Sequence, residues 1–143
     1  MKRICVIDGQ GGGIGSAVIK RLTAVAGGEI EIIALGTNAI ATAQMLKARA
    51  NRGASGENAI VCSVKKADVI IGPVGIIMAD SMMGELTPAM ARAIATSPAR
   101  KLLLPLSQEN IAIVGLPQAP LPHLIDALIE DNLKTYLRED KNV

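Results

Sequence analysis

A strand, a glycine-rich loop and a helix follow one another at the amino terminus, and this order constrains the fold more than any other feature. The apolar run 4–7 is typical of a buried parallel strand, and the stretch 16–26 has apolar residues at helical spacing. Between them lies the loop Asp8-Gly9-Gln10-Gly11-Gly12-Gly13-Ile14-Gly15. Glycine is favoured where a tight turn needs positive φ and where a ligand approaches backbone N–H groups. The pattern therefore predicts a phosphate-binding loop.

Strands and helices alternate along the rest of the chain. Further strands are predicted at 30–35, 69–71 and 101–104, and helices at about 40–46, 57–66, 88–96 and 124–133. The run 59–64 is assigned to a helix because only a few residues separate it from the strand at 69, whereas a parallel crossover needs about a dozen. A rudimentary strand is expected near 48–51. The segment 76–84 is expected to form either a lid-like helix or a loop.

The connection 105–109 is too short for a parallel crossover, so residues 111–114 are expected to return as an antiparallel edge strand. The predicted fold class is α/β, a Rossmann-like, doubly wound, three-layer sandwich whose sheet is otherwise parallel. With 143 residues, the chain has the length of one ordinary domain, so residues 1–143 are expected to form a single domain.

Ligands of such sheets lie beyond the carboxyl ends of the strands, at the switch point beside the first strand. Four loops are expected there, at 9–15, 36–38, 52–58 and 72–75. The candidate ligand-binding residues are Asp8, Gly9, Gln10, Gly11, Gly12, Gly13, Ile14, Gly15, Gly36, Thr37, Asn38, Arg52, Ser55, Gly72 and Pro73. Two roles are considered for Asp8. It is expected either to bind Mg²⁺ or a ribose or base donor, or to accept hydrogen bonds from its own turn.

The spacing of the loop glycines bears on the ligand. Gly9, Gly13 and Gly15 match the G-x-x-x-G-x-G spacing of short-chain dehydrogenases, whereas the G-x-G-x-x-G fingerprint is not matched. The second strand ends without the acid that binds ribose in NAD proteins, and no basic residue stands beside Thr37 to pair with a 2′-phosphate. The predicted ligand is NADP, a mononucleotide or another phosphorylated small molecule. A glycine-rich turn without a ligand is the alternative.

No complete catalytic set is found in the sequence. Asp80 and Ser81 are the candidate base and hydroxyl if the protein is a small reductase or a nucleotide-transforming enzyme, although an exposed helix face also explains them. The sole histidine, His123, has no acid or nucleophile nearby in sequence, and Tyr136 lacks the lysine that short-chain dehydrogenases place four residues later. A third alternative is a protein-interaction module with a vestigial glycine loop and a methionine-rich surface.

Composition narrows the expected partners and location. Basic residues are scattered, the net charge is +2, and Tyr136 is the only aromatic residue, so nucleic-acid binding is not expected. Apolar runs are strand-sized and no signal peptide is recognised, which predicts no membrane association and a cytoplasmic location. Cys5 and Cys62 are expected to be buried, inert thiols, without the spacing of metal ligands. The methionines and a mean hydropathy of +0.37 favour a homo-oligomer.

Four stretches resemble a family of short bacterial proteins of unknown function, found mainly in Firmicutes. They are residues 6–15, 34–41, 52–60 and 67–73, with the sequences VIDGQGGGIG, ALGTNAIA, RGASGENAI and ADVIIGP. The resemblance covers nearly the whole chain and implies a small Rossmann-like protein, but no catalytic residues. The first three loops are also faintly similar to the nucleotide-binding half of bacterial tubulin-like GTPases. Their later glycine-rich phosphate signature is replaced here at 72–77, so GTP hydrolysis is not implied.

Overall fold

A computed structural model describes residues 1–25, 28–106, 109–116 and 118–141, with side chains up to residue 139. Five strands form one sheet in the order β3-β2-β1-β4-β5, and every neighbouring pair is parallel. The strands are β1 Lys2–Asp8, β2 Ile30–Gly36, β3 Arg52–Ser55, β4 Val69–Pro73 and β5 Arg100–Leu104. The order reverses between β1 and β4, which makes the carboxyl ends of these two strands the topological switch point.

Helices connect the strands and cover both faces of the sheet. They are α1 Gly13–Val25, α2 Ala39–Lys47, α3 Glu57–Ser63, α4 Pro88–Thr96, α5 Leu121–Ala127 and α6 Lys134–Lys141. Short 3-10 helices follow α3 and β4, at Val64–Lys66 and Val74–Ile77, and a π-helical segment, Leu128–Leu133, joins α5 to α6. Within the described residues, no helix is both long and apolar enough to cross a membrane.

The central strand β1 is buried on both faces because successive side chains point to opposite sides of a strand. Ile4 and Val6 pack into a core with α1, α2 and α5, while Cys5 and Ile7 pack into a second core with α3 and α4. All four side chains are fully buried. The two cores confirm the predicted three-layer, Rossmann-like α/β architecture.

Local sequence signals account for the starts of two helices. Asn38 caps α2, where its side-chain oxygen accepts a hydrogen bond from the backbone N–H of Ala41 at 2.8 Å. Thr87 caps α4 in the same way through the N–H of Met90, and Pro88 is the first helical residue. The apolar run near residue 60 is helical, as its short distance to β4 predicted.

The antiparallel strand predicted at 111–114 is not formed. Residues 111–113 have no regular structure, residues 114 and 115 form a turn, and the sheet is entirely parallel. The chain turns sharply after β5, where the N–H of Leu106 donates to the carbonyl of Leu104 at 2.8 Å. Glu109 accepts a hydrogen bond from the N–H of Met82 at 2.9 Å and so lies near the segment that follows β4. Ile113 and Leu116 line a cavity together with residues of β5, but the described residues 109–116 form no ladder with that strand.

The third strand lies four residues later than predicted. Asn51 makes two hydrogen bonds to Ile32 of β2. The side-chain oxygen of Asn51 accepts from the N–H of Ile32 at 2.7 Å, and the backbone N–H of Asn51 donates to the carbonyl of Ile32 at 2.8 Å. Residues 48–51 are used to turn the chain, with Arg49 in the left-handed region at φ 83°. The strand therefore starts at Arg52, a residue that the sequence had assigned to a loop.

Candidate functional site

The glycine-rich loop is closed by Asp8, the last residue of β1. One carboxylate oxygen accepts the N–H of Gly9 and the other accepts the N–H of Gly15, both at 2.8 Å. The side chain is only 5% exposed. Asp8 thus binds N–H groups of its own loop, and it fixes the end of the strand against the beginning of α1.

Burial raises the pKa of the Asp8 carboxyl above its usual value, since the charged form loses hydration. Hydrogen bonds from the loop N–H groups offset only part of this effect, and the nearby charge of Glu85 adds to it. A further anion placed directly against Asp8 would meet the same repulsion. A phosphate therefore fits the outer part of the loop better than its base.

The glycines of the loop fall into two kinds. Gly12 has φ 74°, and a Cβ there would lie 2.8 Å from the carbonyl oxygen of Ala41, so this glycine lets the loop pack against α2. In contrast, Gly11 and Gly13 are exposed, and a Cβ at either position would meet no atom within 4 Å. Among the described residues, the N–H groups of these two glycines donate to no protein acceptor. They remain open to a ligand.

Glu85 links the glycine loop to the end of β2. Its Oε1 atom accepts three hydrogen bonds, from the backbone N–H of Gln10 at 2.8 Å, the hydroxyl of Thr37 at 2.6 Å and the side-chain amide of Asn38 at 2.8 Å. The same amide also donates to the carbonyl of Gln10 at 3.0 Å. Partial burial alone would raise the pKa of Glu85, but the three hydrogen bonds outweigh it and hold the pKa below its usual value. The side chain is therefore a carboxylate at neutral pH.

Residues 78–86, here called the strap, carry Glu85 over the loop. Three strap residues other than glycine are in the left-handed region, namely Asp80 at φ 66°, Met82 at φ 58° and Met83 at φ 57°. A Cβ on Gly9 would lie 2.6 Å from the sulfur of Met82 and 3.2 Å from Glu85 Oε1. The strap thus rests directly on the loop, and Gly9 is needed for this close contact.

A cavity of about 270 Å³ lies at the switch point, between the glycine loop and the end of β4. Its volume is slightly below the range of about 300–1,000 Å³ that is usual for small-molecule sites. It suits one ring or head group better than a whole dinucleotide. Its lining residues are Asp8, Gln10, Ile14, Pro73, Gly75, Ser81, Met82, Leu106 and Glu109.

The two candidate catalytic residues are placed differently. Ser81 is buried and lines the cavity, and its hydroxyl donates to the carbonyl of Gly75 at 2.6 Å. Asp80 is exposed and is not part of the lining. The predicted pair of a base and a hydroxyl is therefore not brought together in the crevice.

Several other predicted site residues have packing roles. Gly36 and Ser55 both contact the hydroxyl of Thr42, through a backbone N–H at 3.1 Å and a side-chain hydroxyl at 2.7 Å. Gly72, predicted to lie in a loop, belongs to β4, and a Cβ there would lie 2.5 Å from the carbonyl oxygen of Ile7. Its neighbour Pro73 is also a strand residue but reaches the cavity.

Arg52 lies apart from the crevice. It is the first residue of β3 and contacts the carboxylate of Glu31 at 2.8 Å, which also accepts a hydrogen bond from Arg3 at 3.1 Å. These contacts lie at the amino-terminal half of the sheet, because Arg3 and Glu31 are paired near the starts of β1 and β2. The described residues contain no group of three or more His, Cys, Asp and Glu side chains that could hold a metal ion.

Sequence reasoning missed Glu85, whose carboxylate accepts hydrogen bonds from two of the four predicted loops. Its hydrogen bond to Gln10 spans 75 positions, and those to Thr37 and Asn38 span 48 and 47. No local pattern marks such a residue. Its one sequence signal is its position as an isolated acid after a segment of undecided structure beside the predicted crevice.

A parallel sheet with this strand order, a glycine-rich first loop and a cavity at the switch point define a Rossmann-like α/β protein. Residues 3–137 match the model of the family described as a domain of unknown function, DUF3842, and the chain belongs to that family. The expectation of an uncharacterised family is thereby confirmed. No curated protein and no solved structure gives a significant match.

Proposed function

We propose that the protein binds a phosphate-bearing nucleotide or dinucleotide cofactor in the crevice at the switch point, as a sensor or accessory subunit. The observation that carries this proposal is the place of the cavity, which opens between the carboxyl ends of β1 and β4 and is bordered by the glycine loop. Ligands of open α/β sheets bind at this place. NADP or another nucleotide is the ligand class.

The phosphate is proposed to contact the N–H groups of Gly11 and Gly13. Both are exposed and lie at the amino terminus of α1, a helix of 13 residues whose dipole favours an anion. The base or another ring of the ligand enters the cavity, where Ile14, Pro73 and Met82 supply apolar contacts. This orientation keeps the phosphate away from the buried carboxylate of Asp8.

Isothermal titration with NAD, NADP, FAD, ATP and GTP, each with and without Mg²⁺, tests the proposal. At least one nucleotide should bind saturably to the wild-type protein, and Gly13→Val should abolish that binding because its side chain covers the open N–H groups. Gly28→Ala is the matched control, since a Cβ also meets no atom there and the position is remote from the loop. Absence of heat with all five nucleotides, under both conditions, would refute the proposal.

A small reductase or nucleotide-transforming enzyme is the second candidate function, and the position of Ser81 in the cavity favours it. If Ser81 takes part in chemistry, Ser81→Ala should lower turnover of the bound nucleotide while leaving its affinity nearly unchanged. Equal turnover by both proteins would remove this candidate. A protein-interaction module with a vestigial loop is the third, and it predicts no nucleotide binding at all.

We further propose that the protein is a homo-oligomer of the cytoplasm, where nucleotides are abundant, and that its origin is bacterial, as the resemblance implies. Ile111, Ile113, Val114 and Leu116 are exposed, and among the described residues β5 has a neighbouring strand on one side only. An apolar segment beside an open sheet edge is a common site of association. Sedimentation should show a dimer that Ile113→Lys dissociates, and a wild-type monomer at high concentration would contradict this.

A further inference from the structure

Three hydrogen-bond donors converge on a single oxygen atom of Glu85. They are a backbone N–H, a hydroxyl and a side-chain amide, at 2.6–2.8 Å from that oxygen. All three are uncharged, and they come from the loop after β1 and from the end of β2. Convergent backbone N–H groups form anion-binding concavities in many phosphate sites, and here a hydroxyl and a side-chain amide converge with one backbone N–H. In this protein the anion that the three donors bind is the carboxylate of Glu85.

We propose that Gln10, Thr37 and Asn38 form a phosphate-binding site and that Glu85 is its internal occupant, which an incoming phosphate displaces. The ligand class is a compound with a phosphate group at the end of β2. This inference deepens the proposed function, on which it rests for the identity of the physiological ligand. The donor site itself follows from contacts that are independent of the open Gly11 and Gly13 N–H groups.

The donors stay in place when Glu85 leaves. Gln10 belongs to a loop whose two ends are tied to the buried carboxylate of Asp8. Asn38 is fixed by its cap of α2 through the N–H of Ala41, and its amide bonds directly to the carbonyl of Gln10 at 3.0 Å. The two loops are thus held together without the strap.

The side chain of Glu85 is the part of the site that can move, because it is half-buried and contacts the donors through one oxygen atom. The strap that carries it stays attached to the fold. Ser81 is buried and bonds to the carbonyl of Gly75, Leu86 is fully buried, and the N–H of Asp80 donates to the carbonyl of Leu86 at 2.8 Å. Rotation of the Glu85 side chain alone therefore exposes the three donors to an incoming phosphate.

Inorganic pyrophosphate is the probe, titrated calorimetrically into the wild-type protein, Glu85→Gln and the double variant Glu85→Gln with Thr37→Val. The amide of Glu85→Gln keeps the size of the side chain but weakens its hydrogen bonds. We expect it to bind pyrophosphate roughly tenfold more tightly than the wild-type protein, because donors bind a charged acceptor more strongly than a neutral one. The added Thr37→Val should remove this gain, since it deletes one donor.

Equal affinity of the wild-type protein and Glu85→Gln, or no binding by Glu85→Gln, would overturn the inference. So would a gain that Thr37→Val leaves unchanged, because the probe would then bind elsewhere. Gly13→Val in the Glu85→Gln background separates this inference from the proposed function. A gain in pyrophosphate affinity that survives Gly13→Val supports the Glu85 site even if no nucleotide binds to the wild-type protein.

A measurement on the wild-type protein covers the case in which Glu85→Gln does not fold. The backbone amide resonance of Gln10 should move during a pyrophosphate titration by nuclear magnetic resonance, because its acceptor changes from a carboxylate to a phosphate. The amide of Gly28 serves as the reference, being remote from the loop. A Gln10 resonance that stays fixed up to saturating pyrophosphate would overturn the inference.

Discussion

Glu85 Oε1 lies 2.8 Å from the backbone nitrogen of Gln10, and this hydrogen bond joins the strap to the loop after β1. The carboxylate of Asp8 contacts the same loop, where it accepts hydrogen bonds from the N–H groups of Gly9 and Gly15. The two carboxylates differ in their surroundings, since burial raises the pKa of Asp8 whereas hydrogen bonds lower that of Glu85. The two residues should therefore affect stability in opposite ways as the pH changes.

Glu85→Gln should destabilise the protein by about 1 kcal/mol at neutral pH, because one charged acceptor of three donors becomes neutral. The pKa of Glu85 is lower in the folded than in the unfolded protein, so its contribution is complete above the ordinary glutamate pKa. It is lost as the pH falls through the lowered value. Urea unfolding at several pH values should show the gap between wild type and variant closing in acid. Glu139→Gln, at an exposed residue of α6, is the control, and an equal gap at all pH values would contradict the assignment.

Asp8→Asn should show the reverse pH trend. The pKa of Asp8 is higher in the folded than in the unfolded protein, so its contribution is greatest below the ordinary aspartate pKa and declines as the pH rises through the raised value. The substitution also leaves one loop N–H facing an amide donor, which costs about 1–3 kcal/mol. The stability gap between the two proteins should therefore narrow from acid towards neutral pH in urea unfolding. A gap that widens over this range would show that Asp8 is not desolvated.

Gly72→Ala should destabilise the protein by about 1–3 kcal/mol, the usual cost of an overpacked core. The new Cβ would lie 2.5 Å from the carbonyl oxygen of Ile7, which belongs to the backbone of the central strand and cannot rotate away. Gly28→Ala meets no atom and should stay within about 0.5 kcal/mol of the wild type. Chemical denaturation of the three proteins measures both values. Equal stability of the two variants would mean that β1 and β4 are not packed this closely.

One thiol should react in the native protein and the other only after unfolding. Cys62, expected to be buried, is exposed, whereas Cys5 is buried within β1. Burial raises the pKa of the Cys5 thiol to about 11, so it is both inaccessible and protonated at neutral pH. Titration with an aromatic disulfide reagent should release one equivalent rapidly and a second in denaturant. Cys62→Ser should lose the rapid phase, and rapid release of two equivalents by native wild type would contradict the burial of Cys5.

The elements that the sequence predicted well are those with local signals. The strand, glycine loop and helix at the amino terminus, and the helices predicted at about 40–46 and 88–96, all formed where expected. Residues near 60 were assigned to a helix because the connection from them to β4 is too short for a crossover between two parallel strands. The prediction of a strand at 111–114 was wrong, because the short connection 105–109 excludes a parallel crossover but does not itself make the apolar run pair with β5. Glu109 contacts the N–H of Met82 in the strap, and such a long-range contact cannot be read from a local pattern.

By itself, the sequence determined the α/β class, the glycine loop and the edge of the sheet at which that loop lies, because periodicity, capping and turn chemistry act over a few residues. Only the tertiary structure decided which side chains meet at that edge. It brought Glu85 onto Gln10, Thr37 and Asn38, and it left Arg52 elsewhere. These outcomes depend on the folded path of the strap and on the register of β3. Both are fixed by contacts between distant residues, which no local pattern encodes.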